Sequence, residues 1–211
     1  MELFLCGPQA SLPSPKDLGQ LRQILLGQKS LYASLTLTLN DLPNLLRQLT
    51  TFDVNLKRAP SAASIDCLLQ WLDSGHLSLP VDDLPNIASL PFAVILQVAL
   101  FLQHLAQNNT GSDYGQTVQA LQQYGVQGFC TGFLTAAAID FSRNEEQLAE
   151  YTATSLRLAM CIGVYIDQNA LYAEPPNPVC ALSVRWKEGQ FSKRQVEDLL
   201  AGYAHVRTQK S

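Results

Sequence analysis

Apolar residues along this chain recur mostly three and four positions apart, with a few short runs of strand character among them. Glu2 to Cys6 is apolar and stops at Gly7-Pro8, which predicts a buried strand entering a tight turn. Ser14-Pro15 opens a helix through about Leu26, with Ser14 as N-cap, Pro15 at the first position, and Leu18, Leu21, Ile24 and Leu25 as its apolar stripe. Asn40 or Asp41 is expected to cap a short second helix ending at Leu49. Ser61 to Asp73 reads as a third helix, with Ile65, Leu68, Leu69 and Leu72 on one side and Gly75 as its stop. Gly75 to Pro91 holds three prolines and reads as a long surface connection.

Phe92 to Gln107 is almost wholly apolar, so it is expected to be a helix at the centre of the fold. Asn108 to Tyr114 reads as a polar loop and Gln116 to Tyr124 as an amphipathic helix. Val126 to Phe129 predicts a short strand ending at Cys130. The alanine-rich run Thr131 to Phe141 predicts a buried helix, packed closely by small side chains. Glu145 to Gln168 is the longest helical pattern, started by Asn144 with acidic residues in its first turn. Pro175 to Pro178 breaks the pattern and is the candidate subdomain boundary. Beyond it, Val179 to Trp186 alternates like a strand and Ser192 to Tyr203 reads as a helix capped by Ser192.

With 47% hydrophobic and 15% charged residues, the chain can build a sizeable core and is too apolar to be disordered. A formal charge of −4 argues against a nucleic-acid or anionic-membrane partner, either of which calls for clustered Lys and Arg. The longest apolar run, Pro91 to Leu102, is interrupted by Gln97, so no segment is expected to reach the roughly 20 apolar residues of a membrane span. The N-terminal residues lack a basic region and a long apolar core, so no signal peptide is expected and the cytoplasm is the default. The cysteines, at 6, 67, 130, 161 and 180, are odd in number and widely spaced. No metal site is expected, and most should be free, buried and small.

Gly128-Phe129-Cys130-Thr131-Gly132 is different, because a strand precedes it and a small-residue helix follows. That is the layout of a nucleophile elbow, where the reactive residue sits at a sharp turn and flanking glycines avoid collision. A helix N-terminus aimed at Cys130 should favour the thiolate, and the N–H of Thr131 can hold the oxyanion formed when sulfur attacks a thioester. The plainer reading is a buried structural cysteine beside two packing glycines. His76, His104 and His205 are the only histidines, and none lies in a recognisable base motif.

Taken in order, several segments resemble the starter-unit acyltransferase domain of fungal non-reducing polyketide synthases. They are Leu3 to Ala10, Leu84-Pro85-Asn86, Gly128 to Gly132, Ser155 to Ala159, Ile162-Gly163 and Val184-Arg185-Trp186. The resemblance implies an α/β fold: a partial acyltransferase fold, with residues 1–174 in a large α/β-hydrolase-like subdomain and 179–211 beginning an inserted ferredoxin-like small subdomain. It implies Cys130 as the acyl-carrying nucleophile and Gln9 beside the oxyanion. No cofactor is implied. The substrate would be an acyl-CoA or phosphopantetheine thioester, and the partner an acyl carrier protein domain. Ile162 falls where malonyl-type relatives carry a carboxylate-binding arginine, which implies an uncharged acyl starter; the alternative is that Ile162 is simply core. No residue matches the family's catalytic histidine, so the chain is expected to be a truncated form, a fragment, or a chain completed by another polypeptide. A truncated, inactive remnant acting only by binding a partner is the alternative function, and an unrelated cysteine hydrolase a third.

Overall fold

The computed structural model describes residues 4–7, 13–53, 56, 63–108, 118–119 and 125–172. The chain divides into two compact units, Met1–Ala173 and Glu174–Ser211. All described residues belong to the first. The expected Pro175–Pro178 break, the strand at Val179 to Trp186 and the helix at Ser192 to Tyr203 lie outside them, as do most of the loop and helix expected between Asn108 and Tyr124.

The described part is helix-rich, with one pair of parallel strands. The order is β1 (Phe4–Cys6), α1 (Pro15–Gly27), α2 (Lys29–Phe52), α3 (Ala63–Ser74), a 3-10 turn (Val81–Asp83), α4 (Asn86–Asn108), β2 (Val126–Gly128), α5 (Gly132–Phe141) and α6 (Glu145–Tyr172). β1 and β2 pair in parallel, with Phe4 opposite Val126, Leu5 opposite Gln127 and Cys6 opposite Gly128.

Where local signals are complete, helices begin as the sequence predicts. Ser14 caps α1 through a full capping box: its hydroxyl accepts from Asp17 N–H while the Asp17 carboxylate accepts from Ser14 N–H. The Ser14 hydroxyl also donates to the Asp17 carboxylate, and that bond, with the one from Ser14 N–H, holds the Asp17 carboxyl below its usual range. Asn144 caps α6, its Oδ1 accepting from Gln147 N–H at 2.8 Å. Gly75, at φ +80°, ends α3.

Three expectations need correction. The short second helix is instead the 24-residue α2, which starts at Lys29 and runs through Pro43. Its stripe of Leu31, Leu35, Thr38, Leu39, Leu42 and Leu46 is buried along its whole length, and that burial outweighs a proline that cannot donate. Asn40 does not cap; its side chain donates to Thr36 O within the helix. The connection after Gly75 is also shorter than expected, because α4 begins at Asn86 and carries Pro91 inside it. Finally, Asn86–Gln107 is long and apolar enough, at 22 residues and a mean hydropathy of 1.7, to cross a membrane by length and composition. Its apolar character is that of a core helix. Ile87, Val94, Ile95, Val98, Ala99 and Phe101 have no exposure at all.

α4 packs against α1, α3, α5 and α6. Trp71 of α3 meets Phe92 of α4 edge to face, with ring centres 4.9 Å apart. Arg22 of α1 closes the end of α3, donating to the carbonyls of Leu72 and Asp73. Ser34 of α2 and Ser155 of α6 tie helices together by donating to Ala149 O and Leu134 O.

Candidate active site

The parallel strand pair meets the start of α5 at one corner. Phe129 N–H donates to Cys6 O at 2.8 Å, so the pairing continues one residue past β2. The chain then turns sharply. Cys130 has φ +56°, and among the described residues it is the one non-glycine in the left-handed region. An unbranched side chain held there costs of order 1 kcal/mol. Gly132 N–H donates to Phe129 O, Phe133 N–H to Cys130 O and Leu134 N–H to Thr131 O, at 3.0 to 3.1 Å. α5 therefore starts with tight three-residue turns.

Both flanking glycines are required by backbone crowding. A Cβ on Gly128 would overlap the Cα of Phe133 and the carbonyl of Gly132. A Cβ on Gly132 would overlap the Cys6 carbonyl. Strand end, turn and helix start are thus in backbone contact, which side chains larger than hydrogen would prevent. Thr131 occupies the cap position of α5 without a side-chain capping bond. Among the described residues its N–H has no hydrogen-bond partner.

Cys130 is exposed, so it is not the buried structural cysteine of the plainer reading. Cys6 and Cys67 are buried and Cys161 is half-buried. Burial pushes the Cys6 thiol up to about 11 and raises Cys67 and Cys161 as well. Those three are held as neutral thiols. Phe129 and Phe133, beside Cys130 in sequence, are 56% and 65% exposed.

The structure therefore brings Gly128, Cys130, Thr131 and Gly132 together at one corner with the end of β1. Gln9 and Cys180 lie outside the described residues, and so does His205. His76 and His104 are described, and neither hydrogen-bonds to Cys130. Ile162 lies on α6, two turns beyond Ser155. It is 43% exposed, on a face shared with Leu158, Tyr165 and Ile166, so it is not a core residue. The next residue, Gly163, is where α6 meets α4: a Cβ there would overlap the backbone of Asn86.

One neighbour of the corner carried no signal as a site residue. Gln97 of α4 donates from Nε2 to Gly7 O at 2.8 Å, just past the end of β1. In the sequence it shows only as a break in an apolar run; a lone amide inside such a run was the available clue.

A helix-rich chain with a parallel strand pair, and an exposed cysteine at the corner between a strand and a helix, falls in the α/β class. Within that class, the chain belongs to the starter-unit acyltransferase family: residues 18–200 match the profile described as starter unit:ACP transacylase in aflatoxin biosynthesis. It is 37% identical over 204 residues to 5-methylorsellinic acid synthase of Aspergillus terreus, covering 95% of this chain and 8% of that protein. It is 31% identical over 201 residues to the non-reducing polyketide synthase esdpA of Penicillium shearii, covering 95% of this chain and 9% of that protein. It is 34% identical over 204 residues to the non-reducing polyketide synthase pkbA of Emericella nidulans. The chain spans less than a tenth of the length of these relatives.

Proposed function

We propose that this chain performs starter-unit acyl transfer in fungal polyketide biosynthesis through a thioester on Cys130. The Cys130 thiolate attacks the carbonyl carbon of an acyl-CoA or acyl-carrier thioester. A carbon–sulfur bond forms, the oxyanion collapses, and the donor thiolate leaves. The phosphopantetheine thiol of an acyl carrier domain then repeats the exchange and frees Cys130. The observation that carries this reading is the exposed Cys130, held at φ +56° between two glycines that no other residue could replace, in a chain of this family. The N–H of Thr131, without a partner among the described residues, supports an oxyanion role, with Gln9 as its companion donor. Residues 1–174 would form the large acyltransferase subdomain and 179–211 the start of the small one, in a cytoplasmic enzyme.

The resemblance that sets Ile162 where malonyl-type relatives carry a carboxylate-binding arginine supports an uncharged acyl group, since an apolar side chain cannot pair with a carboxylate. The test is to incubate the chain with hexanoyl-CoA or malonyl-CoA and a phosphopantetheinylated carrier domain, then weigh the carrier. Hexanoyl transfer should exceed malonyl transfer by about tenfold or more, a barrier difference of roughly 1.4 kcal/mol. Equal transfer of both would remove the role of Ile162, and transfer that persists in Cys130→Ala would remove the thioester.

A further inference from the structure

Gln97 lies midway along α4, flanked by Ile95, Leu96, Val98 and Ala99, all buried to within 1%. It is itself only 6% exposed. Its Nε2 donates to Gly7 O, and its Oε1 is buried with no partner among the described residues. A half-satisfied buried amide is costlier than a leucine or methionine of similar size. Helix packing alone would favour the apolar residue. What the amide reaches is the backbone that builds the reactive corner. Gly7 follows Cys6, whose carbonyl takes the Phe129 N–H. The Cys6 carbonyl and the Gly7 nitrogen are also the atoms against which Gly132 is packed. One side-chain hydrogen bond from the core helix thus fixes the exit of β1 where it borders the turn carrying Cys130. Gln9 follows two residues later.

We propose that Gln97 is a positioning residue for acyl transfer at Cys130, holding the β1 exit in register with the turn. This rests on the acyl-transfer reading above. Losing the bond frees the exit to move away from the oxyanion side of the corner. The thiol stays exposed and the core gains an apolar contact.

The test uses the full chain and Gln97→Met, which is close in volume and removes both the donor and the unpaired acceptor. Acylation of Cys130 by hexanoyl-CoA should slow by about tenfold or more. Alkylation of the same thiol by iodoacetamide should stay within about twofold, and the melting temperature should hold or rise. Amide hydrogen exchange in the segment containing residues 4–7 should quicken by about tenfold. Gln97→Glu can donate to Gly7 O only when protonated, so its acylation rate relative to the unsubstituted chain should recover as pH falls. Unchanged acylation with unchanged exchange would overturn the proposal. A fall in stability and alkylation in step with acylation would overturn it too, by making Gln97 structural. If the unsubstituted chain takes no acyl group, the acyl-transfer reading fails by itself. Exchange at residues 4–7 then still decides whether Gln97 holds the β1 exit.

Discussion

Two helix starts in this molecule face the same problem and resolve it in opposite ways. The first N–H groups of a helix have no partners within it, and the positive end of its dipole attracts negative charge. At α4 the structure supplies that charge itself. Asp167, 8% exposed on α6, accepts from Asn86 N, Ile87 N and the Asn86 side chain at 2.7 to 3.0 Å. Gly163 lets the two helices approach closely enough for this. At α5 no carboxylate among the described residues does so. The start is closed by tight turns, Thr131 offers no side-chain cap, and an exposed cysteine in a strained conformation stands just before it. One start is sealed for stability. The other leaves the Thr131 N–H without a partner among the described residues, beside an exposed thiol.

The contrast can be broken most forcefully at its glycines. Gly132→Ala and Gly163→Ala each put a methyl group into another segment's backbone. Each should cost upwards of about 4 kcal/mol in urea unfolding. If either variant melted like the unsubstituted chain, the close approach described at that start would be wrong. Next in size, Asp167→Ala leaves buried N–H groups of α4 unpaired and should cost about 2–4 kcal/mol, whereas Asp167→Asn keeps one acceptor oxygen and should cost less. Equal losses would mean that the carboxylate acts by charge alone. The smallest effect belongs to the open start. Cys130→Gly should be more stable than Cys130→Ala by about 1 kcal/mol, because only glycine adopts φ +56° without strain. The reverse order would place the strain elsewhere.

The two starts also differ in how far the sequence discloses them. The corner at α5 is written in adjacent residues. Val126 to Gly128, the turn at Cys130 and the small residues after Gly132 are read together, and the strand, turn and helix fall where that pattern puts them. The start of α1 is equally local, through Ser14, Pro15 and Asp17. The start of α4 is not, since its cap comes from a residue some 80 positions away. A proline six residues into the helix then reads as its boundary. α2 is misplaced for a related reason: Asn40 and Pro43 look like local punctuation, but the burial of Leu31 through Leu46 against other helices decides the outcome. Gln97 was visible as a residue and illegible as a contact, because its partner Gly7 lies 90 positions away.

The central claim is that the open corner exists to carry an acyl group on Cys130. The most direct test is the intact mass of the chain after brief incubation with an acyl-CoA, followed by peptide mapping. The account predicts a single acyl adduct on Cys130, none on Cys6, Cys67 or Cys161, whose thiols burial keeps neutral, and none in Cys130→Ala. An unmodified chain, or an adduct that maps to one of the other cysteines, would contradict it.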